Sequence, residues 1–170
     1  MTRDTGIRAV LLGIVLICAG LLGAAMYMQL VLDMLPCPLC VIQRYAFLLI
    51  GLFALLALVV QSYHRFFVGL GSLASLAGLG ISGYHVWVLT QPPGSCGVDP
   101  LTAPLNNLFT AQWFPSLFKA TGFCDTPYDP ILGLSIPAWA CVWFAIFTVT
   151  QIVLISAKKK ERVFFGKIKA

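Results

Sequence analysis

Four stretches of this chain are long, apolar and free of charge: Ala9 to Leu32, the residues after Arg44 to about Gln61, Phe66 to about Thr90, and Ile136 to about Ala157. A bilayer core about 30 Å thick takes about 20 helical residues to cross. Only helices or closed barrels can span lipid, because every backbone polar group must pair internally. The runs are continuous rather than alternating, which selects helices. Hydrophobic residues make up 59% of the chain and charged residues 10%, against about 25% charged in soluble domains. The expected fold is an all-α membrane protein: a four-helix transmembrane bundle with a long outer loop carrying a short surface helix. It is one domain over 1–170, with spans at about 9–31, 41–61, 66–90 and 136–157 and outer loops at about 32–40 and 91–135.

Arg3 and Arg8 before an apolar run could suggest a secretory signal. The run exceeds the roughly 7–15 residues of a signal core, so it reads as an uncleaved first span. The net charge of +5 does not point to nucleic acid, because the charges sit at the ends of apolar runs rather than on one face. With the amino terminus inside, Arg3, Arg8, Arg65, Lys158, Lys159, Lys160, Arg162, Lys167 and Lys169 fall on the inner side. Only Arg44 and Lys119 fall outside. That asymmetry places both termini in the cytoplasm. All ten prolines lie on the outer side or at a helix start there, as expected of residues that break helix interiors.

Cys18 and Cys141 lie within spans and read as small buried hydrophobes. The other four cysteines, Cys37, Cys40, Cys96 and Cys124, face the outer compartment, where disulfides persist. Pro36-Cys37-Pro38-Leu39-Cys40 is a C-x-x-C unit where the second span begins. Proline is tolerated in a first helical turn, and the positive end of the helix favours a thiolate over a thiol, the species that attacks a disulfide. This favours a redox-active Cys37–Cys40 disulfide and leaves Cys96 and Cys124 to pair in the outer loop. Two disulfides that only staple the loops would not need such close spacing at a helix start. A four-cysteine zinc site would want two close pairs, and Cys96 and Cys124 are far apart, so no metal is expected.

Arg44 stands one helical turn beyond Cys40 on the same face. Arginine within a span is costly. It either snorkels to head groups or acts as a cation beside the reactive sulfur, stabilising charge on Cys40 and on a bound acceptor. The second reading is favoured. No phosphate-cradling glycine loop is present, and two histidines are too few for two haems, so a lipid-soluble acceptor is the simplest electron sink. His85, near the outer end of the third span, reads equally as an interfacial anchor or a functional group. His64 reads as interfacial. Trp87, Trp139 and Trp143 read as an outer aromatic belt. The loop from Gln91 to Ser135 is long enough to suggest function. Its aromatic middle, Leu105 through Phe118, reads as a short helix on the membrane surface, able to carry Cys124 toward Cys37.

The chain resembles the bacterial disulfide bond formation protein B family (DsbB). The resemblance rests on Cys37-Pro38-Leu39-Cys40 followed by Arg44, on Cys96 and Cys124, on Leu132-Gly133-Leu134-Ser135-Ile136-Pro137-Ala138-Trp139 entering span four, and on the basic tail from Lys158 to Lys167. It implies a quinone-dependent thiol oxidase of the bacterial inner membrane, acting as a monomer with its active cysteines on the periplasmic side. The implied partner is a reduced DsbA-like periplasmic thiol oxidase, which attacks Cys96–Cys124 through Cys96. Cys124 then exchanges with Cys37 and frees Cys40 as a thiolate toward a quinone, ubiquinone or menaquinone, with Arg44 beside it. His85 matches a family histidine near the quinone by approximate position. The short glycine-rich segment around Cys96 and the extra cysteines Cys18 and Cys141 depart from the family pattern. A vitamin K epoxide reductase-like enzyme is the nearest rival, but there the active C-x-x-C comes after the loop pair. A non-enzymatic membrane scaffold is the rival from another class.

Overall fold

The fold is taken from a computed structural model, which describes residues 3–91, 101–124 and 130–156, with side chains from residue 5. Four long helices carry it: α1 (Arg3–Val31), α2 (Pro38–Val59), α3 (His64–Val88) and α7 (Ile136–Ser156). All four are long and apolar enough to cross a membrane. The protein is a four-helix multi-pass membrane protein. A single 3-10 turn, Gln61–Tyr63, links α2 to α3, so those two spans are forced into an antiparallel pair.

Helix α1 packs on α2, α2 on α3, and α3 on α7. The seam between α1 and α7 has no comparable contact. With lipid as apolar as the side chains, association depends on close packing and interhelical polar contacts. Both are visible. Phe47 and Phe144 stack at 4.2 Å between centroids, and Phe144 lies against Gly78 of α3, where any Cβ would stand 2.4 Å from the ring. Deeper along the same seam, Thr148 Oγ1 is 2.9 Å from Ser75 Oγ, and the Ser75 hydroxyl donates to the Ser72 carbonyl at 2.9 Å.

The aromatic middle of the outer loop differs from the single surface helix expected of it. It forms three short helices, α4 (Thr102–Asn106), α5 (Phe109–Trp113) and α6 (Pro115–Phe118). Pro115 cannot extend a preceding helix and instead starts α6. The segment has two faces. Phe109, Trp113 and Phe114 are exposed, whereas Ala111, Phe118 and Ala120 are buried with Val41 of α2. Tyr45 of α2 stacks on Phe118 at 4.4 Å and hydrogen-bonds Thr110. Asn106 closes the loop on itself, accepting from Ala120 N at 2.8 Å and donating to Ala120 O at 2.9 Å. The loop is therefore docked on the start of α2.

Candidate functional site

The first turn of α2 builds the centre of the site. Cys37 is its N-cap, in extended backbone with Pro38 following, and its sulfur accepts from the Cys40 N–H at 3.4 Å. That capping bond folds the two side chains together. Cys37 Sγ donates to Cys40 Sγ at 3.2 Å, the pair standing as two thiols. The sequence assigned this pair a disulfide; the structure holds its dithiol form.

Two further groups reach Cys37. Its Sγ lies 3.7 Å from His85 Nε2 on α3, and it is hydrogen-bonded to Cys124 of the outer loop. The bonds with Cys124 and Cys40, together with burial, push the Cys37 thiol well above the ordinary thiol range. Cys124 is brought there by backbone. The amides of Thr121 and Gly122 both donate to the Pro36 carbonyl at 3.0 Å. Gly122 sits so close to the segment leading into α2 that a Cβ would stand 2.4 Å from the Leu35 carbonyl oxygen. Only a residue without a side chain permits that approach.

His85 is buried, with 3% of its surface exposed. It is a member of the site rather than an interfacial anchor. Its Nδ1 lies 3.4 Å from Gln43 Nε2, so Gln43, three positions beyond Cys40, orients the imidazole ring. Arg44 is also buried, at 6% exposure, so it does not snorkel. Its Nη1 donates to Gln29 Oε1 at 2.8 Å and to the Leu117 carbonyl at 3.0 Å, and Nη2 donates to the Ala25 carbonyl at 3.4 Å. These bonds tie α1, α2 and the outer loop at one guanidinium, which also interacts electrostatically with the Cys40 and Cys37 sulfurs.

A cavity of about 460 Å³ opens beside these groups. Leu21, Leu22, Ala25 and Met28 of α1 form one wall, and Ile136, Ala140 and Trp143 of α7 form the other. Cys37, Cys40, Arg44, His85 and Cys124 line its polar end. It thus fills the seam that the helix packing leaves open. Trp143 belongs to this wall and to a ring contact with Phe147 at 6.0 Å, and not to a surface belt. Trp87 is exposed, and Trp139 donates its indole N–H to the Ile131 carbonyl at 2.8 Å.

Of the residues singled out in the sequence, Cys37, Cys40, Cys124, Arg44 and His85 converge. Cys96 lies outside the described residues, as does the basic tail. Cys18 is buried against Gly51, and Cys141 donates to Ser82 Oγ at 3.0 Å. His64 is bonded to its own turn through Gln61 O at 3.0 Å. Sequence reasoning passed over Gln29 and Gln43. The signal available was their polarity within otherwise apolar spans.

The model of the family described as "Disulfide bond formation protein DsbB" matches residues 7–154. The chain belongs to the DsbB family. Among curated relatives, Disulfide bond formation protein B of Cupriavidus necator is 46% identical over 154 residues, covering 91% of this chain and 96% of the relative. The protein of the same name from Herminiimonas arsenicoxydans is 48% identical over 143 residues, covering 84% and 90%. Disulfide bond formation protein B 1 of Pseudomonas fluorescens Pf0-1 is 44% identical over 153 residues, covering 89% of each. Membership in the DsbB family makes the chain a disulfide oxidoreductase.

Proposed function

We propose that this DsbB-family chain reoxidises a DsbA-like periplasmic dithiol protein and passes the electrons to a membrane quinone, sustaining disulfide formation in the periplasm. The observation that carries the reading is the position of Cys37 and Cys40 at the polar end of an apolar cavity between two spans. A thiol pair serving only as a staple has no use for such a cavity. The bacterial inner membrane, with the cysteines on the periplasmic side, is the matching location. Arg8 and Arg65 at the opposite ends of the helices support that orientation.

Residues of the cavity fit a quinone. Arg44 and His85 offer polar hydrogens at one end, and Leu21, Phe47 and Trp143 offer apolar surface for a ring and its tail. A quinone bound there supplies a two-electron, two-proton acceptor. The chain's own contribution is thiol exchange and positioning. The partner's thiolate opens Cys96–Cys124 at Cys96, and the partner then leaves oxidised, with Cys96 and Cys124 reduced. Cys124 sulfur attacks Cys37 of the Cys37–Cys40 disulfide, the Cys37–Cys124 bond forms, and Cys40 leaves carrying the electron pair. Cys96 then displaces Cys37, which restores Cys96–Cys124 and leaves Cys37 and Cys40 reduced. Their reoxidation removes two electrons and two protons from the pair. The Cys37–Cys124 contact supports the exchange step, and His85 beside Cys37 is placed to hold a proton. A DsbA-type protein sits near about −120 mV, so its oxidant must lie above that potential, where each 30 mV is worth about 1.4 kcal/mol.

The test is quinone-dependent reoxidation of a reduced DsbA-type protein by purified wild type, Cys40→Ser and Arg44→Ala, followed through the ultraviolet absorbance of added ubiquinone. Turnover by wild type, none by Cys40→Ser and weakened quinone use by Arg44→Ala are expected. No turnover by wild type with either ubiquinone or menaquinone would favour a scaffold that only braces its loops.

A further inference from the structure

The reduced site has the donor set of a soft-metal centre. Cys37 Sγ, Cys40 Sγ and the nearest nitrogen of His85 all lie within 4.8 Å of one another. Around a tetrahedral Zn²⁺, with Zn–S about 2.3 Å and Zn–N about 2.0–2.1 Å, the S···S edge is about 3.8 Å and the S···N edge about 3.6 Å. The observed edges are 3.2 Å for Cys37–Cys40 and 3.7 Å for Cys37–His85. A spread of about 0.6 Å between the sulfurs reaches the coordination geometry. Spacing along the chain offered only two donors; the third comes from α3 and was not legible as a ligand.

We propose that the reduced Cys37–Cys40 pair and His85 Nε2 form a three-ligand site for a thiophilic divalent cation, Zn²⁺ or Cd²⁺, that locks the pair in its dithiolate form. Binding releases two thiol protons and moves no electrons, so no oxidant is required. Cys37, Cys40 and His85 all line the cavity, which leaves room there for a fourth ligand. Metal-bound histidine donates its other ring N–H to a neighbour, and Gln43 at 3.4 Å from Nδ1 supplies that neighbour by turning its amide oxygen toward the ring. Oxidation to the disulfide removes both thiolates and abolishes the site. The cation therefore acts as a reversible brake on disulfide formation, engaging only the reduced protein.

The test uses full-length protein in detergent with Cys96→Ser and Cys124→Ser, so that the outer loop adds no thiols. The reduced protein is titrated anaerobically with CdCl₂, and sulfur-to-cadmium charge transfer is read in the ultraviolet, with ZnCl₂ as competitor. One cation per chain and release of about two protons per cation are expected. Cys40→Ser is expected to abolish the band, and His85→Ala to weaken binding at least tenfold. The same protein oxidised at Cys37–Cys40 is expected to show no band, a comparison that needs no new variant to fold. An equal band in oxidised and reduced protein, or undiminished affinity in His85→Ala, would overturn the site. Neither quinone nor partner protein enters the measurement, so its failure leaves the oxidase reading standing, and failure of that reading leaves this one.

Discussion

Arg44 is held by Gln29: the guanidinium Nη1 on α2 donates to Gln29 Oε1 on α1 at 2.8 Å. Its other partners are the carbonyls of Leu117 and Ala25, so among the described residues this buried cation is hydrogen-bonded by uncharged oxygens. Such a site keeps the positive charge available to an incoming ligand, where a carboxylate partner would have cancelled it. Hydrogen bonds to charged groups are worth about 1.5–3 kcal/mol. Gln29→Leu is therefore expected to raise the quinone KM roughly tenfold, the equivalent of about 1.4 kcal/mol, with kcat at saturating quinone little changed. Steady-state kinetics at varied ubiquinone check this. An unchanged KM would show that Gln29 does not aim Arg44.

Gly122 sets the distance between the loop and the C-x-x-C turn. A Cβ there meets the Leu35 carbonyl oxygen at 2.4 Å, and a backbone carbonyl cannot rotate away as a side chain can. Gly122→Ala should displace Cys124 from Cys37 and slow oxidation of a DsbA-type protein at least tenfold. Quinone reduction driven by a small dithiol that reduces Cys37–Cys40 directly should be nearly unaffected. Equal loss in both assays would place the defect elsewhere.

The Phe144 ring occupies the space a side chain at residue 78 would need, at 2.4 Å. Overpacking a filled interior typically costs about 1–3 kcal/mol. Gly78→Ala should lower the thermal midpoint in detergent by several degrees. Gly80→Ala, with nothing within 4 Å of its Cβ, should leave it unchanged. Light-scattering or tryptophan-emission melts separate the two.

The raised Cys37 thiol has a pH signature. An acid held above its ordinary value stays protonated as pH rises through the range where a free thiol, with a value of about 8.5, ionises. Reduced protein between about pH 7 and 9 should therefore alkylate at Cys37 more slowly than the same protein unfolded in dodecyl sulfate. Peptide mass spectrometry after timed iodoacetamide pulses measures the ratio. Equal rates would mean that the bonds to Cys124 and Cys40 do not hold the proton on Cys37.

What the sequence disclosed is what lipid imposes on a chain. Apolar length and the grouping of prolines located the four spans, and charge and cysteine placement marked the helix start at Cys37 and singled out Arg44, which is buried one turn beyond Cys40. Relations between helices stayed hidden. Nothing along the chain says that Gln29 faces Arg44, that Gln43 meets His85, or that the Gly122 backbone lies against Leu35, because each depends on how two segments cross. Trp143 misled for the same reason. Its composition-level signal is that of an interfacial tryptophan, but the gap between α1 and α7 turns it into a cavity wall. The outer loop was legible as aromatic and amphipathic, but its division at Pro115 and its docking on Val41 and Tyr45 depend on tertiary contacts.

The central claim is that electrons pass from the outer loop to the C-x-x-C pair through a Cys124–Cys37 exchange. Replacing Cys40 by serine leaves Cys37 with no sulfur to close on and should arrest that exchange. Non-reducing peptide mapping of Cys40→Ser, purified after blocking free thiols, is expected to yield a Cys37–Cys124 disulfide as the main cross-link. Consistent recovery of Cys37 as a blocked free thiol, with Cys124 bonded only to Cys96, would contradict the relay.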